Sequence, residues 1–475
     1  MSGVLTDVRA RVIISGSTSN FRFGICCDIT MLNILQIPIW FLVSATLVAY
    51  VLRVPIRPRW GWSVAVGGIA FFVAAAVAVS LGPLIAFDFR SFWQLGRVLI
   101  SGGDSLDFVA GHELPPLNPP TAYPWFAAMA LLPFRASLVL WMFVSAAGLA
   151  ALVPLAHRTL VDRGAPGLPG CGLALVTAAF LISNAPRAMI QSGQLAFITA
   201  LGLIAALACQ SRGRPGWAGF WLVQGTLKPN TTLPFLLLFL RRRDLRAWVV
   251  SGALIAAILL AFWGTDLRGH ATVYLQTIEK LSRPGRTNDI ALGAASNADM
   301  VGLDYALYRL GFRAPGAAGK AQLVASALLG AALAYRILRR GGALPTGGDC
   351  SLVALFSVIF LYHRSPDCVV LALPLTYAVA RARAGSGKAR WAYLGATAAV
   401  LLVLSHQRKA VELLGKAYGD RADGLALVVQ AVVLPYATWL VLAAMVALAL
   451  GDRWSGDLPN LGAPSPPRSP DHGPA

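Results

Sequence analysis

The sequence predicts an all-α integral membrane protein, folded as a multi-pass helix bundle. Of its 475 residues 57% are hydrophobic and 13% charged, which is about half the charged fraction of a soluble globular protein. The apolar residues lie in long uninterrupted runs, and the basic residues lie in the short connectors between them. Together these observations exclude a cytosolic enzyme, a fibrous protein and a disordered chain.

The apolar runs predict the number of spans, since a helix that crosses the hydrocarbon needs about 20 apolar residues. We expect about 11 spans, at 31–52, 61–86, 138–156, 170–187, 192–210, 247–266, 318–337, 350–362, 367–380, 391–405 and 425–450. Between Arg214 and Arg241, two shorter apolar stretches are separated by Lys228-Pro229. Each stretch reaches only about half-way across the hydrocarbon. They predict a short hairpin or, as the alternative, two further spans, about 13 in all.

The density of basic residues predicts which connectors face the cytoplasm. The densely basic set is 53–60, 157–169, 211–216, 241–246, 336–349 and 381–390. The opposite set is 1–30, 87–137, 185–191, 267–317, 363–366 and 406–424. The densely basic set holds as many Lys and Arg residues as the opposite set, in about a third as many positions. We therefore expect the densely basic set to be cytoplasmic. The formal charge of +19 then reflects contact with membrane lipids and not with nucleic acid.

The predicted domain organisation is simple. Residues 1–30 form a poorly structured head, 31–450 a single transmembrane domain, and 451–475 a tail rich in Pro, Gly and Ser that we expect to be disordered. Whether translation starts at Met1 or at Met31 stays open. The long loops 87–137 and 267–317 lie outside the membrane in this topology and carry interfacial helices, and such loops are natural places for a site.

The residue patterns argue against metal and nucleotide chemistry. None of the six cysteines belongs to a CxxC or Cys/His ligand pattern, and no Gly-rich phosphate loop occurs. We therefore expect no cofactor and identify no metal ligands, while a requirement for metal stays open.

Asp88 is the strongest candidate for chemistry. It follows an apolar segment directly and has Phe87, Phe89 and Trp93 around it. Partial desolvation makes a carboxylate a better proton acceptor. The alternative is an ordinary acid at a helix end in interfacial water.

Positive groups that could hold a phosphate are few. Lys228 lies at the break of the hairpin, where an unpaired ammonium in lipid would cost several kcal/mol, so it is either paired, bound to an anion or extended to the interface. His363 and Arg364 follow another apolar helix, with Asp367 after them. They either bind a lipid phosphate, oriented by Asp367, or cap a helical turn with a satisfied ion pair.

Several segments resemble glycosyltransferase family 87, the C-type membrane glycosyltransferases that use polyprenyl-phosphate sugars. In chain order they are DFRSFWQLGRVLISG from Asp88, YPWFAAMALLPF from Tyr123, SGQLAF at 192–197, AGFWLVQGTLKPNTTLPFLLLFLRRRDLRA at 218–247, ASNADMVGLDYALYRLG at 295–311 and YHRSPDCVVLALPL at 362–375. The resemblance implies a C-type glycosyltransferase architecture with Asp88 as general base. It further implies Lys228, His363 and Arg364 at the donor phosphate.

The function expected from this resemblance is inverting transfer of a sugar from a polyprenyl-phosphate donor. Mannose is the first candidate for that sugar. The acceptor is a glycolipid or glycan on the extracytoplasmic side of the cell membrane. Further substrate-binding candidates are Gln194, Asn297, Arg187 and Tyr123. The alternatives are a non-catalytic carrier or flippase for lipid-linked sugars, which would tolerate loss of Asp88, and a structural membrane subunit.

Overall fold

The computed structural model describes residues 22–81, 86–111, 118–281, 290, 300–314, 316–340, 343–361, 363–405, 408–418 and 424–456. Within these ranges the chain is helical apart from connectors and one pair of two-residue strands. The protein is therefore an all-α membrane protein, as the composition predicts.

The first eleven helices are α1 (Arg22–Val51), α2 (Pro58–Leu81), α3 (Phe87–Ile100), α4 (Ser105–Gly111), α5 (Tyr123–Ala130), α6 (Phe134–Val161), α7 (Gly170–Leu181), α8 (Asn184–Ser192), α9 (Ala196–Ser211), α10 (Pro215–Gly225) and α11 (Pro229–Phe235). The others are α12 (Leu245–Trp263), α13 (Leu267–Leu281), α14 (Leu303–Arg309), α15 (Ala317–Leu338), α16 (Gly347–Phe360), α17 (Ala372–Ala384), α18 (Gly387–Val403), α19 (Arg408–Tyr418), α20 (Gly424–Val428) and α21 (Tyr436–Trp454). Short 3-10 segments lie at Pro120–Ala122, Leu236–Phe239, Arg242–Asp244 and Ser365–Leu371, and a π-helical turn lies at Val429–Val433. The strands are β1 (Met300–Val301) and β2 (His363–Arg364).

Five helical segments of the described residues are long and apolar enough to cross a membrane: Pro58–Ala78, Phe134–Val161, Arg242–Trp263, Ala317–Leu338 and Tyr436–Trp454. The pair α7 and α8, bent by 50°, adds a sixth if it counts as one span. Shorter apolar helices occupy several of the remaining predicted positions, among them Ala196–Ser211 and Gly347–Phe360. The larger span count stays a prediction.

Hydrogen bonds connect members of the densely basic set of connectors to one another. The Arg53 guanidinium donates to the carbonyls of Arg383 and Gly385, each at 2.8 Å. Arg163, which is buried, donates to the Pro345 carbonyl at 2.8 Å. Each of these bonds joins two connectors of the set, as expected if the set lies at one end of the bundle.

The opposite set is connected in the same way. The Asn184 N–H, at the start of α8, donates to the Leu404 carbonyl at 2.9 Å, next to the 406–424 connector. β1, from the 267–317 loop, pairs antiparallel with β2, from the 363–366 connector. The grouping of connectors thus agrees with the charge pattern, while the side of the membrane stays a prediction.

The boundaries of the predicted domain differ from those of the helices at both ends. α1 begins at Arg22, inside the predicted head, and α21 runs to Trp454, inside the predicted tail. The second difference has a clear cause, because Asp452 is 1% exposed and accepts hydrogen bonds from two buried tyrosines. Residues 1–21 and 457–475 lie outside the described part of the chain.

The helix that carries Asp88 is fixed by aromatic packing. In α3, Phe89 stacks on Trp141 of α6 with ring centroids 5.5 Å apart, and Phe92 stacks on Phe126 of α5 at 4.7 Å. Gly96 allows α5 to approach, since a Cβ there would lie 2.1 Å from the Phe126 carbonyl oxygen. The packing of α3 against α5 and α6 therefore holds Asp88 in one place.

Candidate active site

The break between α10 and α11 places a lysine inside the protein. α10 ends at Gly225 and Pro229 starts α11, because proline has no N–H to lose at the first position of a helix. Lys228, between them, forms an ion pair with Asp367 and donates a 2.8 Å hydrogen bond to Gln194 Oε1. The side chains of Lys228 and Asp367 are only 15% and 8% exposed. The lysine predicted to be paired or bound to an anion is therefore paired.

Asp367 holds two of the predicted cationic residues. One carboxylate oxygen accepts from Lys228, and the other lies 3.1 Å from His363 Nδ1. A carboxylate can only accept, so Nδ1 carries the proton of this bond. Asp367 thus orients His363, a contact that fits both alternatives from the sequence, the phosphate site and the capped turn with an ion pair. It also lies 3.4 Å from the Arg364 backbone N–H, at the start of the 3-10 segment.

Gln194 connects Asp88 to this ion pair. Its Nε2 donates to Asp88 Oδ2 at 2.7 Å, while its Oε1 accepts from Lys228 at 2.8 Å. We call these five residues the site network, and its members are Asp88, Gln194, Lys228, His363 and Asp367. The predicted acid and two of the three predicted cationic residues are therefore joined by one chain of hydrogen bonds.

The backbone explains why Asp88 and Gln194 meet. Gly193 ends α8 with φ +73°, and Ala86, just before α3, has φ +72°. A Cβ on Gly193 would lie 2.6 Å from Phe89 Cβ and 3.0 Å from Ala86 Cβ. The Ala86 N–H donates to the Gln191 carbonyl at 2.9 Å. A left-handed alanine is strained and persists only where its surroundings impose it, and here the close contact with Gly193 does so.

Electrostatics tune the proposed base. Burial raises the pKa of Asp88 above that of an ordinary aspartate, and the hydrogen bond from Gln194 partly offsets this. Lys228 and Arg364 also lower the pKa of Asp88, whereas Asp367 raises it. The net effect is a raised pKa, which makes the ionised carboxylate a stronger proton acceptor than one in water.

Arg364 lies in β2, directly opposite Met300 of β1. Its side chain is half-buried, and its charge acts on Asp88. Asn230 Nδ2 lies 3.4 Å from His363 Nδ1. β1 is attached beside the site through two residue pairs, Met300 with Arg364 and Val301 with His363.

Two further predicted residues, Tyr123 and Arg187, are described by the structure but are not among the five residues of the site network. Tyr123 is buried at the start of α5, its ring 5.7 Å from that of Phe262, and burial raises its pKa. Arg187 is half-buried on α8, ahead of Gln194. Asn297 lies outside the described residues.

Asp304, in the first turn of α14, is a candidate that the sequence reasoning missed. Burial raises its pKa, while a backbone N–H bond from Tyr305 and the nearby His363 lower it, with a net rise. It reaches this place because Val301 pairs with His363 in the strand ladder. Nothing in its local sequence marks this, since the neighbour is about 60 residues away.

The site network is incomplete in a way that suits a ligand. The His363 side chain is 0% exposed, and its buried Nε2 has no hydrogen-bond partner among the described residues. Among the described residues, Asp88 accepts one hydrogen bond from a side chain, at Oδ2. Its Oδ1 therefore remains to accept a proton. In that part of the chain no group of three or more His, Cys, Asp or Glu residues is arranged to hold a metal ion.

The comparison with protein families gives one match. A family model described as glycosyltransferase family 87 matches residues 117–362, slightly more than half of the chain. The matched region includes Gln194 and Lys228, begins after Asp88 and ends just before His363. No curated protein and no solved structure matches the chain significantly.

Proposed function

Because this chain belongs to glycosyltransferase family 87, we propose that it transfers a sugar from a polyprenyl-phosphate donor to a glycolipid or glycan acceptor. The first candidate for the sugar is mannose. The transfer takes place on the extracytoplasmic side of the cell membrane and inverts the anomeric centre. Asp88 is the general base, and Lys228, His363 and Arg364 bind the donor phosphate.

One observation carries this proposal. A half-buried acid, a half-buried lysine and a buried histidine belong to the same hydrogen-bonded network, although the members of the network come from four separate segments of the chain. Buried charged groups are costly and are kept where they are paired or functional. The network provides the two things that sugar transfer from a lipid phosphate requires, a proton acceptor and positive charge.

The reaction follows from these groups. The acceptor hydroxyl gives its proton to Asp88 Oδ1 while its oxygen attacks the anomeric carbon from the face opposite the phosphate. The bond between the anomeric carbon and the phosphate oxygen breaks, and the phosphate leaves with the electron pair. A phosphate leaving group needs no strong acid, but it needs positive charge or hydrogen-bond donors on its oxygens.

The cations are suited to the phosphate in different ways. Arg364 is half-buried beside the network, and its planar guanidinium can donate two parallel hydrogen bonds. His363 presents a buried Nε2 without a protein partner among the described residues. Lys228 is already paired with Asp367, so its positive charge is partly balanced before the donor arrives.

A membrane-embedded fold suits this substrate. A polyprenyl-phosphate sugar has its tail in the hydrocarbon and its reactive head near the interface. A transferase built of membrane helices can receive the donor without extracting it from the bilayer.

The test is transfer by purified protein in vesicles given labelled polyprenyl-phosphate mannose and candidate glycolipid acceptors. We expect a labelled product with a new glycosidic bond of inverted configuration, and we expect the exposed-loop variant Asp107→Asn to form it at the wild-type rate. Movement of intact donor between leaflets without a new bond, in both proteins, would contradict the proposal and favour a carrier.

A further inference from the structure

The amide of Gln194 lies between two charged groups of opposite sign. Its Nε2 donates to Asp88 Oδ2 at 2.7 Å, and its Oε1 accepts from Lys228 Nζ at 2.8 Å. A lysine ammonium only donates and an ionised carboxylate only accepts, so both partners fix the same orientation of the amide. Gln194 therefore cannot turn over without losing both hydrogen bonds.

The backbone holds this amide in place. Gln194 follows the left-handed Gly193, whose carbonyl accepts from Trp141 Nε1 at 3.1 Å. The Gln194 N–H donates to the Met189 carbonyl at 3.2 Å. Both ends of the hydrogen bond between Gln194 and Asp88 thus rest on backbone that cannot shift without breaking further contacts.

The bridge determines which oxygen of Asp88 is open. It occupies Oδ2, so that Oδ1 is the oxygen left for a substrate proton. The same amide accepts from Lys228, which is also paired with Asp367.

We propose that Gln194 is a positioning residue that acts through Asp88, selecting the carboxylate oxygen that takes the proton. This assignment rests on the proposed function for its link to catalysis. It replaces the direct contact with substrate that the sequence predicts for Gln194.

The effect on ionisation gives a readout that does not depend on activity. The charged groups that act on Asp88 are Lys228, Arg364 and Asp367, and the hydrogen bond from Gln194 lowers its pKa. Removing that hydrogen bond should raise the pKa of Asp88 further. A carboxyl reagent attacks the protonated acid, so labelling of Asp88 should then persist to higher pH.

The experiment compares wild type with Gln194→Met, which keeps the length of the side chain and removes both hydrogen bonds. A hydrophobic carbodiimide labels the full-length protein in vesicles across a pH series, and peptide mass spectrometry gives the midpoint for Asp88. The matched control is Gln191→Met, a half-buried glutamine near the end of α8 whose backbone carbonyl accepts from the Ala86 N–H. We expect the midpoint to rise in Gln194→Met and to stay at the wild-type value in Gln191→Met.

Transfer kinetics complete the test. We expect Gln194→Met to lower kcat by about 10- to 100-fold with the donor KM little changed, and to move the acidic limb of the kcat/KM profile to higher pH. An unchanged labelling midpoint would overturn the positioning role, as would a loss of activity explained entirely by a smaller folded fraction. A shifted midpoint in a wild-type protein that forms no glycosidic bond would instead refute the proposed function and leave the coupling between Gln194 and Asp88 standing.

Discussion

Two ionic clusters lie at opposite ends of the helical hairpin formed by α16 and α17. One is the site network, which follows α16 and precedes α17. The other, the closed cluster, lies where α16 begins and α17 ends. Its members are Arg336, Arg340, Asp349, Tyr377, Tyr393 and Asp452.

The closed cluster satisfies its acids completely. Arg336 contacts both Asp349 and Asp452 at 2.7 Å, and Arg340 lies 3.2 Å from Asp349. The Tyr377 and Tyr393 hydroxyls donate to the remaining Asp452 oxygen at 2.7 and 2.9 Å. This cluster fastens α15, α16, α17, α18 and α21 to one another.

The site network differs in what it leaves open. Asp88 has an oxygen and His363 a buried ring nitrogen without a side-chain partner among the described residues. In the closed cluster every carboxylate oxygen has a partner, whereas in the site network one oxygen of the proposed base has none among the described residues. The comparison teaches that burial of charge alone does not identify a site, and that an open carboxylate oxygen distinguishes the site network from the closed cluster.

The largest effect that separates the clusters is expected at Lys228. Replacing it with Met leaves Asp367 buried with one partner fewer, so the free energy of unfolding should fall by about 3–5 kcal/mol. In the double variant with Asp367→Asn the unpaired charge is gone. Chemical unfolding in mixed micelles should then show much of the stability restored, while transfer stays at least about 100-fold low. Recovery of transfer in the double variant would show that Lys228 serves folding alone.

The closed cluster should respond in the opposite way. Asp452→Asn should lower the free energy of unfolding by about 3 kcal/mol, with the transfer rate per folded molecule within about twofold of wild type. The control is Asp162→Asn, whose pair with Arg212 is about a third exposed and should contribute less than about 1 kcal/mol. A large change in donor KM in Asp452→Asn would break the distinction between the two clusters.

A smaller effect is expected at Arg364. Arg364→Gln should raise the donor KM by about 10- to 100-fold, because a charge-assisted hydrogen bond to phosphate is lost. The matched control is Arg135→Gln, an exposed arginine in the first turn of α6, with an expected KM close to that of wild type. Equal effects of both substitutions would point to general attraction of the anionic donor.

The smallest effect is on pH dependence. Since the raised pKa belongs to a base that must be ionised, kcat/KM should fall as the pH drops through the pKa of Asp88, above the range of an exposed aspartate. Arg364 lowers that pKa, so the acidic limb of Arg364→Gln should lie at higher pH than that of wild type. An acidic limb that is unmoved in this variant would place Arg364 away from the base.

The sequence predicts single residues of the site better than their connections. Asp88 and Lys228 stand out because each interrupts an apolar pattern, and the break at Lys228 occurs where the sequence predicts it. The bridge through Gln194 depends on packing between segments about 100 residues apart, and periodicity carries no information about such contacts. The attachment of Asp304 beside His363 through the strand pair was missed for the same reason.

The closed cluster was also missed. The composition of the last 25 residues assigns Asp452 to the tail, because the residues after it are mainly Pro, Gly and Ser. Its partners Arg336 and Tyr377 are about 116 and 75 positions away, and no local pattern joins them.

The central claim is that Asp88 of the site network accepts the proton of the acceptor hydroxyl during glycosyl transfer. The most direct measurement is the single-turnover rate of labelled sugar transfer from polyprenyl-phosphate mannose by Asp88→Asn in vesicles, normalised to folded protein, beside wild type and Asp107→Asn. We expect Asp88→Asn to keep the wild-type unfolding transition and to be slower by about 10²- to 10⁴-fold, with Asp107→Asn unchanged. Transfer by folded Asp88→Asn at the wild-type rate would contradict the account.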